Sequence, residues 1–120
     1  MTAKKIIKSF YKSDAFINVA EMDSFLHEEF LLEWQSSKGL VKMNKQEALD
    51  FTREMSVSYV RTKVKIHSIV KDKNHVAIRF SHFVKTVENP REDILLAHFF
   101  AIFELKEDKL FNCYQMSQLN

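Results

Sequence analysis

The sequence predicts an α+β fold: three helices, all in the N-terminal half, packed on the concave face of a strongly curved, mainly antiparallel sheet. Three observations predict it. From His75 to Gln118 the chain is a meander of three long apolar runs, broken only by Glu88–Glu92 and Lys106–Lys109. The first half carries apolar stripes at helical spacing opposed by charge, and such stripes need a surface to lie on. Runs of about twelve residues would reach ~40 Å if flat, so the strands must bend, and bulges are the usual means. A length of 120 residues suits a single domain, 1–120, with one core.

In order, Thr2 to Ser13 reads as a helix, with Ile6, Ile7, Phe10 and Tyr11 on one side and lysines on the other. Asn18-Val-Ala-Glu21 has the form of a capping box and opens a short second helix that offers Met22, Phe25 and Leu26 and ends near His27 to Glu29. Phe30 to Gln35 alternates as a strand, and Ser36 to Gly39 is the loop after it. Asn44-x-x-Glu47 repeats the cap and opens a third helix with Ala48, Phe51, Thr52, Met55 and Tyr59 on one face. β-Branched residues around Val57 to Val60 end it. Thr62 to Lys71 alternates as a strand, and Asp72 to Asn74 turns the chain into the meander.

Composition excludes several classes. A net charge of +2 is too small to argue for nucleic acid or an anionic membrane, and the lysines of the first helix read as a solvated face. One cysteine allows neither an internal disulfide nor a cysteine zinc site. One glycine leaves no phosphate-cradling loop. No apolar run approaches the ~20 residues of a membrane span, and lysines interrupt the apolar residues near the N-terminus, so a cytoplasmic protein is expected. No cofactor is implied.

Side-chain alternation assigns the sheet faces. Turns centred on Lys73 and near Pro90 pair even positions with even, and a two-residue turn at Glu107-Asp108 switches parity. The inner face then carries Val64, Ile66, Val70, Val76, Ile78, Phe80, His82, His98, Phe100, Ile102, Phe111, Cys113, Gln115 and Ser117. The outer face of the last two strands carries Leu95, Phe99, Ala101, Phe103, Tyr114 and Met116. Strands apolar on both sides are buried on both sides, and with the helices used on the inner face, a second copy of the chain is the expected cover.

The order of elements resembles that of the nuclear transport factor 2-like superfamily, which includes SnoaL-like cyclases and ketosteroid isomerases. Its carriers are IIKSFYKS, MDSFLHEEFLLEW, KQEALDF and the closing FNCYQMSQL; Lys45 stands where a glycine often precedes the EAL-type segment. The resemblance implies a cone whose helices close over the concave sheet and leave a pocket at the open end. It also implies dimers through the convex face. It does not imply a reaction.

Under this register His82 and His98 face each other across the Pro90 hairpin, with Cβ atoms ~5 Å apart. They form either a satisfied core pair or an orienting or acid–base pair at a pocket floor. A metal would need more ligands than these two. Trp34 and Tyr59 are candidates for the pocket rim, and Phe100, Gln115 and Ser117 for its wall. No aspartate falls on the inner face of the meander, whereas the isomerase branch uses a pocket carboxylate as base. The expected function is binding of a small apolar molecule; the alternative is a cofactor-free SnoaL-like isomerase, cyclase or hydrolase working through His82 or His98.

Overall fold

The computed structural model describes residues 2–119. Helix α1 (Ala3–Lys12) is capped by the Thr2 side chain, which accepts from the Lys5 amide, and it buries Ile6, Ile7, Phe10 and Tyr11. Helix α2 (Val19–Phe25) begins at Asn18, whose side chain accepts from the Glu21 amide. The Glu21 carboxylate does not complete a box; it accepts from the Asp14 amide at 2.8 Å and so ties down the turn after α1. The chain leaves α2 earlier than the sequence predicts and enters β1 (Leu26–Ser36). Leu40 to Met43, which alternate too briefly to stand out, form β2 (Gly39–Asn44) and fold back on β1. Gly39 makes that reversal at φ 110°, where a side chain would be strained.

Helix α3 (Lys45–Ser58) has the full capping box: the Asn44 side chain accepts from the Glu47 amide and the Glu47 carboxylate from the Asn44 amide. Four long strands follow, β3 (Tyr59–Asp72), β4 (His75–Thr86), β5 (Ile94–Lys106) and β6 (Lys109–Leu119). The six strands make one sheet in the order β2-β1-β6-β5-β4-β3, antiparallel throughout except for the parallel pair β1–β6. Helix α1 lies against β3 and β4, and α3 against β1, β2 and β3. Between helices and sheet sits an aromatic core in which Phe80 and Phe99 stack at 4.8 Å with parallel rings, and Phe10, Tyr11, Phe16 and Phe103 surround them. No helix among the described residues is long and apolar enough to cross a membrane.

The expected parity holds on β4, where Val76, Ile78, Phe80, His82 and Val84 are buried toward the helices. It also holds across the Glu107-Asp108 turn, whose two residues have φ 55° and 60°, as a two-residue hairpin turn requires. It fails on β5. Next to the Pro90 turn Val84 pairs with Ile94 and Phe83 with Leu95, but His82 pairs with Ala97, so Leu96 is an extra residue. A bulge moves every later side chain to the other face. Phe99, Ala101 and Phe103 therefore lie in the core rather than on the outer face, and His98, Phe100 and Ile102 lie outside rather than in. Smaller bulges act likewise. His67 is an extra residue on β3 and turns Val70 outward with Ile69 inward, and Phe111 is one on β6, so that Leu110 and not Phe111 is fully buried.

Candidate functional site

The concave side of the sheet and the three helices enclose a cavity of about 280 Å³. Phe80, Phe99 and Phe103 of the sheet, Phe10, Tyr11 and Phe16 of the N-terminal segment, Met43 of β2, and Phe51, Met55 and Tyr59 along and just after α3 line it. Ser36, Ser37 and Lys38 of the β1–β2 turn also line it, and no aspartate or glutamate does.

Five of the seven residues expected at the pocket are brought together here: Trp34, Tyr59, His82, Gln115 and Ser117. Trp34 is placed by β1, beside Gln115 in the parallel pairing with β6, and its indole Nε1 donates to Ser117 Oγ at 2.8 Å. That bond fixes the ring plane, which packs edge-on to Phe51 and tilted to Phe99. The other two, His98 and Phe100, face away from the cavity, as the Leu96 bulge requires. His82 therefore meets Ala97 across the strands, not His98, and the expected histidine pair does not exist.

His82 instead stands alone in an apolar wall. It is 3% exposed and packs between Phe16 and Phe99. Burial lowers its pKa from 6.5 to about 4, so the ring is neutral at physiological pH. Its Nε2 is buried and has no hydrogen-bond partner among the described residues. Such an atom is rare in a folded protein, because leaving it unpaired costs ~1–3 kcal/mol. Several other polar groups of the wall are satisfied or inert. Thr52 Oγ1 donates to the Ala48 carbonyl, and burial pushes the Cys113 thiol and the Tyr11 phenol well up, so both keep their protons. Among the described residues no three metal-ligating side chains come together.

The sequence reading missed Phe16, Met43, Phe51 and Met55 as cavity residues and placed Phe99 and Phe103 outside it. The apolar stripe of α3 already contained Phe51 and Met55. Nothing marked the Leu96 bulge, which has neither glycine nor proline.

No family model and no curated protein matches the sequence. Solved structures do match in shape. AusH from Aspergillus nidulans superposes with a TM-score of 0.80 at 12% identity, over 96% of this chain and 82% of that one. An LEH-like epoxide hydrolase of M. tuberculosis gives 0.73 at 15% identity over 96% and 81%. A protein with a ketosteroid isomerase-like fold from Catenulispora acidiphila gives 0.72 at 9% identity over 95% and 85%. Likeness in shape at such low identity speaks to the fold alone. Three helices over a curved six-stranded sheet, in this order and superposing on these neighbours over nearly the whole chain, are the fold of the nuclear transport factor 2-like superfamily.

Proposed function

We propose that the cavity binds a small, neutral, largely apolar molecule bearing one polar group, and that the chain works as a homodimer through the outer face of its sheet. One observation carries the first part: His82, whose buried Nε2 has no hydrogen-bond partner among the described residues, lines a cavity whose wall is mostly apolar. At about 280 Å³ the space lies near the lower end of ligand sites, ~300 Å³, and is larger than a packing defect. A charged ligand is disfavoured, since no carboxylate lines the wall and the one ammonium, that of Lys38, comes from an exposed turn residue. A hydroxyl, amine or carbonyl on an apolar body suits a neutral imidazole, which can give or take one hydrogen bond.

The second reading is a cofactor-free enzyme, supported by the same unpaired nitrogen and by the hydrolase among the structural neighbours. General-base catalysis works best with a pKa near the operating pH. At about 4, His82 is a weak base, and no carboxylate stands in for it, which favours binding. Trp34 is the one tryptophan and lines the cavity, so it reports directly. The neutral probe N-phenyl-1-naphthylamine is expected to give saturable energy transfer from Trp34, weakened by His82→Phe. A response linear in probe, or one unchanged by that substitution, sinks the binding reading. Turnover of an epoxide or ester, lost in His82→Gln with probe binding kept, establishes the enzyme instead.

For the dimer, two cross-strand rows supply the argument. Glu33, Tyr114, Ile102, Ala77 and Val70 lie side by side across β1-β6-β5-β4-β3, and Gln35, Met116, Phe100, Arg79 and Ser68 form the next row. Phe100, Met116 and Val70 are each more than 60% exposed. With Glu33 at one end and Arg79 toward the other, a two-fold axis near Phe100 brings each charge to its opposite in the second copy.

A further inference from the structure

On the outer face, beyond the apolar rows, two histidines converge on one buried hydroxyl. Ser81 is 3% exposed although it lies on the outer side of β4. His67, the extra residue of the β3 bulge, meets Ser81 Oγ with Nε2 at 2.7 Å. His98, opposite Ser81 on β5, meets the same oxygen with Nδ1 at 2.9 Å. A hydroxyl has one proton to give and two lone pairs. Between neutral imidazoles it donates to one ring and accepts from the other. Between imidazoliums it accepts from both. Ser81 thus holds the rings side by side in either protonation state, leaving His67 Nδ1 and His98 Nε2 for something else.

The surrounding charge decides what that is. Lys65 lies directly opposite Ser81 on β3, and Arg79 is two residues along β4 on the same side. None of the ion pairs among the described residues takes up Lys65; Arg79, also unpaired among them, is the residue set against Glu33 of the second copy in the proposed dimer. Desolvation lowers the pKa of His67, and the charges that lower it further, on Arg79, Lys65 and His98, are all positive. A cation meets repulsion here and only two of the three or four ligands that zinc takes. An anion meets the opposite field and, by favouring the charged rings, gains two further donors.

We propose that the His67–Ser81–His98 chain, with Lys65 beside it, is a binding site for a compact oxyanion of the phosphate or phosphate-monoester type. The site is separate from the cavity, on the other side of the sheet, and stands or falls without it.

Inorganic phosphate titrated at pH 6.5 and constant ionic strength, with chloride as the balancing salt, tests this through the imidazole NMR signals. Saturable shifts of both rings, a higher His67 pKa in phosphate, and affinity reduced roughly tenfold in His67→Gln and in Lys65→Gln are expected, the loss of one charge-assisted bond each. Both side chains are exposed, so these substitutions spare the core. Shifts that chloride reproduces, or variants that bind like the wild type, overturn the site. Vesicles of phosphatidic acid in phosphatidylcholine distinguish the source: flotation with them, lost in the same variants, assigns a lipid headgroup, and phosphate binding without flotation assigns a free anion.

Discussion

His82 concentrates the chemistry of the cavity in one ring, and its protonation links that ring to stability. The folded pKa, about 4, lies below the ordinary 6.5, so between these values the unfolded chain binds more protons than the folded one. Its contribution is therefore fully present above pH 6.5 and is lost as the pH falls through that window toward 4. The loss is on the order of 3 kcal/mol. His82→Phe places a ring of similar shape between Phe16 and Phe99 and removes the unpaired nitrogen. Urea unfolding at pH 7.5, 5.5 and 4.5 is expected to show a variant at least as stable as the wild type at the highest pH and increasingly more stable below 6.5. Two stability curves running parallel across that range would mean that the ring does not titrate as a buried one. Gln115 and Ser117 were legible on the inner face because two bulges cancel: Leu96 shifts β5 by one residue and Phe111 shifts β6 by one, so Gln115 and Ser117 still face the helices, beside Ala101 and Phe99. The face of His98 was not legible, because it depends on the bulge at Leu96, the third residue of β5, which the turn does not mark.

Local signals fixed the helices well, because their caps are chemical and not positional. Asn44→Ala removes the acceptor for the Glu47 amide and loosens the reciprocal bond, so α3 is expected to lose about 1 kcal/mol, read as a shift of the urea midpoint, while Asn44→Asp keeps most of it. A midpoint unmoved in Asn44→Ala would show that packing of Ala48, Leu49 and Thr52 alone sets the start of the helix. The strands were harder to read for a physical reason. Ile94 to Phe103 is apolar at every position but His98, so it has no phase, and either face can be buried without breaking the pattern. The turns specify parity only up to the first bulge. At Glu107-Asp108 no bulge lies within the turn and the prediction holds; at Leu96 one extra residue reverses it. Strand β2 escaped because four alternating residues between two polar turns are too short a signal to distinguish from a loop.

At the scale of the molecule, the bulge decides which half of β5 is core and which is surface, and the oligomer rests on the same decision. The register read from the sequence made Phe99 an interface residue. In the structure Phe99 stacks on Phe80 inside the cavity wall, and Phe100, 64% exposed, takes the outer position beside Met116. The two adjacent phenylalanines therefore make opposite predictions. Phe99→Glu buries a carboxylate among aromatic rings and is expected to abolish cooperative unfolding, since an unpaired buried charge costs several kcal/mol. Phe100→Glu leaves the core untouched and is expected to retain the fold and the Trp34 emission of the wild type. If the outer face joins two copies over a contact of standard size, ~1,500 Å² in total, the wild type sediments as a dimer at micromolar concentration and Phe100→Glu as a monomer. The opposed charges refine the geometry. Arg79→Glu places like charges where the two-fold axis sets Arg79 against the second copy's Glu33 position, and it is expected to weaken the dimer; adding Glu33→Arg restores the opposite pairing and the dimer with it. A wild type that sediments as a monomer removes the dimer altogether. A dimer that survives Phe100→Glu moves the interface off this face, and one weakened by Arg79→Glu but not recovered by the double reversal keeps the face while changing the axis.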